Sequence, residues 1–403
     1  MKHLSVPVLQ ISQLAHLEKE FKKMQVGILG TGAISQKHVQ AYKNIGYEVV
    51  ACTNRNPVSG RQFADQIGAE FVGTVEELCK HPRIDFVDIC TLPNFRLLPV
   101  ELCAQAGKHV LVEKPIATNL DTATQMIVTA RKAGIQLGVV SQHRFDDASI
   151  FLAGALAAGR LGKLLQADAY VKWYRSPEYY SRPVKGSWSG EGGGALINQG
   201  IHQVDLLLWL AGPVDEVSAY RQLGALHRIE GEDVVNALLH YSSGATGVIQ
   251  ASTAFWPGSP ERIEMHGTKG TAIITGDRLS EWQVKDDCGD PAPISGNISS
   301  GAADPLAIST IPFERQLLDF GQACRAGRSP LVSGIEAFRV LQLVTSIYKS
   351  CAEDQKKDRY PKRSSVMRMR VKFFGKQHFK AQSSEQQCSH FPGGSCNFLY
   401  YHC

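Results

Sequence analysis

Gly192-Gly193-Gly194-Ala195-Leu196-Ile197-Asn198-Gln199-Gly200-Ile201-His202-Gln203-Val204-Asp205 is a run in which three glycines open an apolar helical pattern reaching about Leu210. A histidine titrates near neutrality and can take or give a hydroxyl proton. Asn198 and His202 stand at i and i+4, on one helix face, with Asp205 at i+7 alongside. The spacing suits Asn198 to orient a substrate hydroxyl and Asp205 to orient the imidazole, and bare glycine backbone leaves room for a ligand. A helix histidine bonded to a backbone group is the plainer alternative. Lys114, in Glu113-Lys114-Pro115, follows an apolar strand pattern. An ammonium at the end of a strand can hydrogen-bond a reacting oxygen. Pro115 restricts the residue before it, through a cis bond if one forms, and so can hold Lys114 in place; an ordinary turn lysine is the alternative.

Such groups need a partner for the electrons, and the front of the chain offers one. Gln25–Leu29 reads as a strand, Gly30-Thr31-Gly32-Ala33-Ile34-Ser35 follows, and a helical pattern runs on to about Tyr42. The first glycine makes a tight turn, the second lets the backbone approach a pyrophosphate, and small Ser35 allows close packing at a helix N-terminus that favours anions. Gly30, Gly32, Ala33 and Ile34 are therefore candidate dinucleotide-binding residues. The second strand, Tyr47–Cys52, is followed by Thr53-Asn54-Arg55-Asn56 where an acidic residue usually meets the ribose hydroxyls. Asn54 can still bond a hydroxyl, and Arg55 can take a 2′-phosphate or lie in solvent. The set leans to NADP without excluding NAD.

The elements that position these groups alternate. Helical pieces at Phe63–Ile67 and Val75–Lys80, a strand at Phe86–Cys90, a helix at Pro99–Ala106, a strand at Val110–Val112, a helix at Asp121–Ala133 and a strand at Gln136–Val140 predict a doubly wound parallel sheet. Its crevice lies at the carboxyl ends of the strands. Pro93, Asn94, Glu113 and Lys114 all fall there, and Arg144 follows the last strand. Arg144 is a candidate for a substrate hydroxyl or carboxylate, or for a structural ion pair. Tyr174 and Trp188 lie in an aromatic-rich stretch that can stack on sugar rings or pack inside a sheet.

The chain has 403 residues, 43% hydrophobic and 20% charged, which suits two or three globular domains. No apolar run approaches the roughly eighteen residues of a membrane span. The net charge of +5 is concentrated at the ends: residues 353–403 carry +6 and 1–23 carry +2, leaving −3 between them. No basic patch for nucleic acid is expected. Seven of the ten cysteines are scattered over 52–351 without zinc spacing, so reduced thiols, no metal and a cytoplasmic setting are expected. Residues 1–23 lack a secretory cleavage site and read as an extension, and 353–403 as a disordered basic tail. Asn297-Ile298-Ser299 matches a glycosylation acceptor, without meaning inside a cell.

Gly30-Thr31-Gly32-Ala33-Ile34, Glu113-Lys114-Pro115, the GGGALINQGIHQVDLLLWLAG run and the late PLVSGIEAFRVLQLV together resemble the Gfo/Idh/MocA oxidoreductases, over about 25–352. The resemblance implies a Rossmann domain (24–144) and a substrate-binding and oligomerisation domain (145–352). The second domain is an α/β unit on a large, open, mostly antiparallel sheet. It further implies NAD(P)-dependent interconversion of a hydroxyl and a carbonyl on a sugar, nucleotide-sugar or cyclitol, in a homo-oligomer. Lys114 would be the catalytic lysine and His202 the acid/base. Two departures stand out. Asn198 replaces the aspartate common in inositol dehydrogenases, and resembles nucleotide-sugar 3-dehydrogenases acting on UDP-linked amino-sugar acids. Leu97 replaces a histidine often found three residues after Asn94. A cofactor-sensing regulator and an NAD-dependent glycosidase with transient oxidation are the competing readings. The regulators lack the lysine and histidine that this chain keeps.

Overall fold

The computed structural model describes residues 23–182, 184–285, 300 and 309–353. Most of the two terminal extensions, Cys288, the last three cysteines and the Asn297-Ile298-Ser299 acceptor lie outside them.

From Gln25 to Val139 strands and helices alternate: β1 (Gln25–Leu29), α1 (Ala33–Asn44), β2 (Glu48–Thr53), α2 (Pro57–Ile67), β3 (Glu70–Phe71), α3 (Val75–Lys80), β4 (Phe86–Ile89), α4 (Leu97–Gln105), β5 (His109–Val112), α5 (Leu120–Lys132) and β6 (Leu137–Val139). The strands pair in parallel in the order β3-β2-β1-β4-β5-β6. The order reverses between β1 and β4, which opens a crevice at their carboxyl ends. Local rules set many boundaries. Asn56 caps α2 through its side chain, Thr74 and Glu77 form a capping box on α3, and Gly68 ends α2 in the left-handed region. The two-residue β3 carries too little pattern to be seen in the sequence.

A second sheet follows α6 (Asp147–Ala157): β7 (Leu164–Lys172), then α7 (Ile201–Ala211), β8 (Val214–Leu223), β9 (Glu232–Tyr241), β10 (Thr246–Ser252), β11 (Arg262–Gly267), β12 (Gly270–Thr275) and β13 (Arg278–Val284). Its order is β13-β12-β11-β7-β10-β9-β8, antiparallel except for the parallel pair β7 and β10. The expected mostly antiparallel second sheet is thus present. Among the described residues no helix is long and apolar enough to cross a membrane.

Of the last two helices, α8 (Ile311–Ala326) returns to the first sheet, and α9 (Gly334–Glu353) packs against β8 of the second sheet as well as α5 and β6 of the first. Phe320 of α8 packs edge-on against Phe86 of β4 at 5.1 Å. A Cβ on Gly138 of β6 would come within 2.6 Å of the Phe320 ring, so this approach requires glycine. Gln316 donates to the Val139 carbonyl and accepts from the Ser141 amide, and Val139 donates to the Val332 carbonyl, which covers the edge of β6. The start of the 140–145 segment is thereby held by Gln316 and Val332.

Candidate active site

The glycine turn is built for close approach. Gly30 has φ +94° and donates to the Thr53 carbonyl, and a Cβ there would crowd Thr91 and the Cys90 backbone at 3.2–3.3 Å. At Gly32 a Cβ would meet nothing within 4 Å. Gly32 is the N-cap of α1, which has no side-chain cap and no acidic residue in its first turn. The first-turn N–H groups, with the positive end of the helix dipole, are therefore available to an anion. The Thr31 and Thr91 hydroxyls, at the ends of β1 and β4, are buried without partners among the described residues. An open glycine, an uncapped helix and two orphaned hydroxyls at the switch point fit the pyrophosphate of a dinucleotide. Ala33 is exposed and Ile34 half-buried beside them. Asn54 donates to Ser59 Oγ, and Arg55 projects into solvent beyond β2. Pro93 and Asn94 form a 3-10 turn after β4, Pro93 buried and Asn94 exposed.

Lys114 follows β5 at a cis Lys114–Pro115 bond. Its Nζ donates to the Asn198 carbonyl at 2.7 Å. Burial pushes the ammonium down to about 8; Glu113 opposes that shift and Lys185 adds to it. Glu113, expected on the cofactor side, turns inward. Its Oε1 lies 3.1 Å from His38 Nε2, and its Oε2 accepts the Lys114 amide. His38 Nδ1 lies 2.7 Å from Asp88, which also accepts from Tyr42. Burial opposes a charge on His38, but Asp88 outweighs it and holds the imidazole well above its ordinary value. A buried imidazolium therefore ties α1 to the ends of β4 and β5. His38 carries no motif of its own in the sequence; its one signal is that Ser35, His38, Ala41 and Tyr42 recur on the buried face of α1.

His202 comes from the other sheet's helix. The three glycines do open that helix, but the first turn, Leu196–Gly200, is a π-turn before α7 begins. The strict i, i+4 relation between Asn198 and His202 therefore gives way to a wider turn. Glu232 takes the place of a cap by accepting from the Gly194 and Leu196 amides. His202 Nδ1 is buried with no hydrogen-bond partner among the described residues. The His143 ring meets it edge to face at 5.2 Å, and His143 Nδ1 lies 2.7 Å from Asp146. Burial, then the Lys114 and His143 charges, hold His202 well below the ordinary histidine value, so it is neutral. Lys114 and His202 line one small cavity with Ser141 and Asp205, its other walls being apolar, among them Ile116, Val140, Ile201 and Val340.

Other expectations change. Asp205 does not orient the imidazole: both its oxygens accept from Arg144, at 2.7 and 2.8 Å, and one also accepts from Ser141. Arg144 is buried and reaches Glu336 as well, so it is the structural pair rather than a substrate anchor. The partners are 61 residues apart, and a helical face offers no sign of that pairing. Neither Tyr174 nor Trp188 lines the shared cavity. Tyr174 meets Trp256 edge-on at 5.0 Å, and Trp188 meets Tyr348 at 5.1 Å. Nearer to Lys114 is a polar group with no motif to mark it in the sequence: Lys185 donates to Glu191 and Tyr179, and Gln199 donates to Tyr179.

A parallel sheet with this glycine turn, joined to a second sheet that brings a lysine and a histidine to one cavity, defines an NAD-binding oxidoreductase. Comparison with known proteins carries this further. Residues 24–141 match the model of the oxidoreductase family with an NAD-binding Rossmann fold. Residues 152–273 match the GFO/IDH/MocA C-terminal domain. The chain belongs to the Gfo/Idh/MocA family, whose members include sugar and cyclitol dehydrogenases. It is 30% identical over 252 residues to the 1,5-anhydro-D-fructose reductase of Ensifer adhaerens, covering 61% of this chain and 74% of that protein. It is 32% identical over 235 residues to 1-carboxy-3-chloro-3,4-dihydroxycyclo hexa-1,5-diene dehydrogenase of Comamonas testosteroni; the match spans 57% of this chain and 58% of that relative's length. Among solved structures, the WlbA dehydrogenase of Bordetella pertussis in complex with NADH and UDP-GlcNAcA superposes with a TM-score of 0.73 at 29% identity, over 83% of this chain and 98% of that one.

Proposed function

We propose that the chain interconverts a hydroxyl and a carbonyl on a sugar, nucleotide-sugar or cyclitol, with Lys114 and His202 at the reacting oxygen. The observation that carries this reading is their shared cavity, reached from the two sheets although 84 positions separate Lys114 from Asn198, its hydrogen-bond partner on the His202 segment. When bound, the nicotinamide supplies the hydride acceptor or donor. Gly30, Gly32 and the first turn of α1 would hold its pyrophosphate. In oxidation, neutral His202 accepts the hydroxyl proton, and the reacting oxygen satisfies a nitrogen otherwise buried without a partner. Lys114, held as a cation at neutral pH, donates to the oxygen as negative charge develops. Removing one such donor typically costs roughly 3–4 kcal/mol of barrier. In reduction His202 returns that proton to the oxygen while Lys114 keeps its hydrogen bond to it.

The nucleotide-sugar class is favoured by two observations: the Asn198 spacing and the likeness to a dehydrogenase bound to UDP-GlcNAcA. Arg55, exposed beyond β2, favours NADP. Exposed Tyr220 and Leu238 on β8 and β9 support a homo-oligomer through the open sheet face. The six free cysteines among the described residues suit a reducing compartment such as the cytoplasm.

The test is a screen of NAD⁺ and NADP⁺ reduction by absorbance, with UDP-GlcNAcA, inositols and simple sugars as substrates, 1,5-anhydro-D-fructose in the reverse direction, and glycosides included. Turnover with one class supports the reading. Cofactor binding without turnover would favour a regulator, and glycoside cleavage without net reduction would favour the glycosidase.

A further inference from the structure

Arg96 closes the 3-10 turn after β4 and starts α4, yet its side chain runs inward and is 2% exposed. Nε donates to the Thr91 carbonyl at 3.0 Å, and a terminal nitrogen donates to the same oxygen. The other terminal nitrogen donates to both the Glu113 and Pro115 carbonyls. These are the carbonyls on either side of Lys114. Burial lowers the guanidinium to about 10, with Glu113 opposing, so it stays charged at neutral pH. Among the described residues no carboxylate reaches it within ion-pair distance. A buried cation satisfied only by carbonyls is costly to keep. Its fork geometry, which lysine lacks, lets one side chain bind the end of β4 and both flanks of the lysine turn together.

We propose that Arg96 is a positioning residue that fastens the Glu113–Lys114–Pro115 turn and so fixes the Lys114 ammonium at the cavity. The proposal rests on the reading of Lys114 given above. The charged groups that set the Lys114 titration are Glu113, Lys185, Glu191 and Arg96, with His202 across the cavity. Removing Arg96 takes away a neighbouring cation and frees the turn toward water. Both changes raise Lys114 toward the ordinary lysine value of 10.5.

The test uses the full chain as wild type, Arg96→Met and Arg96→Lys. Trace acetic-anhydride labelling of Lys114 is followed by mass spectrometry across pH, with fold checked by circular dichroism. Wild-type Lys114 should label with a midpoint near 8. In Arg96→Met the midpoint should rise by about one unit or more, which slows labelling at pH 8 about fivefold or more. Arg96→Lys keeps the charge without the fork and should fall between the two. An unchanged midpoint in a folded Arg96→Met protein overturns the proposal. If Arg96→Met fails to fold, the Arg96→Lys midpoint decides: raised supports it, unchanged overturns it. Labelling needs no substrate, so absence of turnover would sink the dehydrogenase reading and leave this result standing.

Discussion

Replacing Lys114 by methionine should lower turnover about a hundredfold or more and stabilise the fold at neutral pH. Lys114 titrates near 8 in the folded chain against 10.5 as an ordinary lysine. The folded value is the lower one, so the unfolded chain binds more protons between those limits and stability rises with pH there. The cost of burying the charge is fully present below about 8 and vanishes above about 10.5. Its size is at most about 3 kcal/mol, and solvent reaching the half-buried side chain reduces it. Methionine removes that cost but leaves the Asn198 carbonyl without its donor, which returns about 1.5 kcal/mol or more. The net gain at pH 7 is therefore about 1 kcal/mol. The decisive quantity is the pH trend: the stability difference should move in the wild type's favour by about 2–3 kcal/mol between pH 7 and pH 10.5. Urea unfolding of both proteins by tryptophan fluorescence at several pH values measures it. A difference that stays flat across that interval would refute the claim that Lys114 is held as a buried cation.

Other outcomes follow from the same geometry. In Gly32→Val the fold should survive, because a Cβ at Gly32 meets no protein atom within 4 Å, while nicotinamide-nucleotide affinity by fluorescence titration should fall about tenfold or more. Arg55→Asp should weaken NADP binding about tenfold relative to NAD; an unchanged ratio would remove Arg55 from cofactor choice. Asp205→Ala should cost about 3–5 kcal/mol in urea unfolding, because Arg144 is left buried without its bidentate partner. For oxidation, kcat/KM should fall about tenfold per pH unit above about 8 as Lys114 loses its proton; a rate that climbs instead would make Lys114 the base.

What the sequence made legible was local. The Gly30 and Gly32 turn, Lys114 before Pro115 and the glycines before His202 each carry their signal within a few residues, and the parallel, doubly wound character of the first sheet follows from the alternation of elements. Pairings across the chain were invisible for the opposite reason. Nothing near Asp205 marks Arg144 as its partner, and nothing near Arg96 marks the carbonyls of Glu113 and Pro115. The return of α8 to the first sheet is likewise a long-range event, recorded only in the small Gly138 that accommodates Phe320. The protonation states were hidden too. His202 looked like a base poised near neutrality, but burial beside Lys114 and His143 keeps it neutral well below that range.

The central claim is that Lys114 and His202 serve one oxygen, and a double-mutant cycle in kcat/KM tests it most directly. Lys114→Ala, His202→Ala and the double variant are compared with wild type on the best substrate from the screen, after nucleotide titration shows cofactor affinity nearly intact. Each single change should lower kcat/KM by about a hundredfold or more, and the double variant should fall little below the worse single, because groups acting as a unit are strongly non-additive. Effects that multiply would place the two side chains in independent roles and contradict the account.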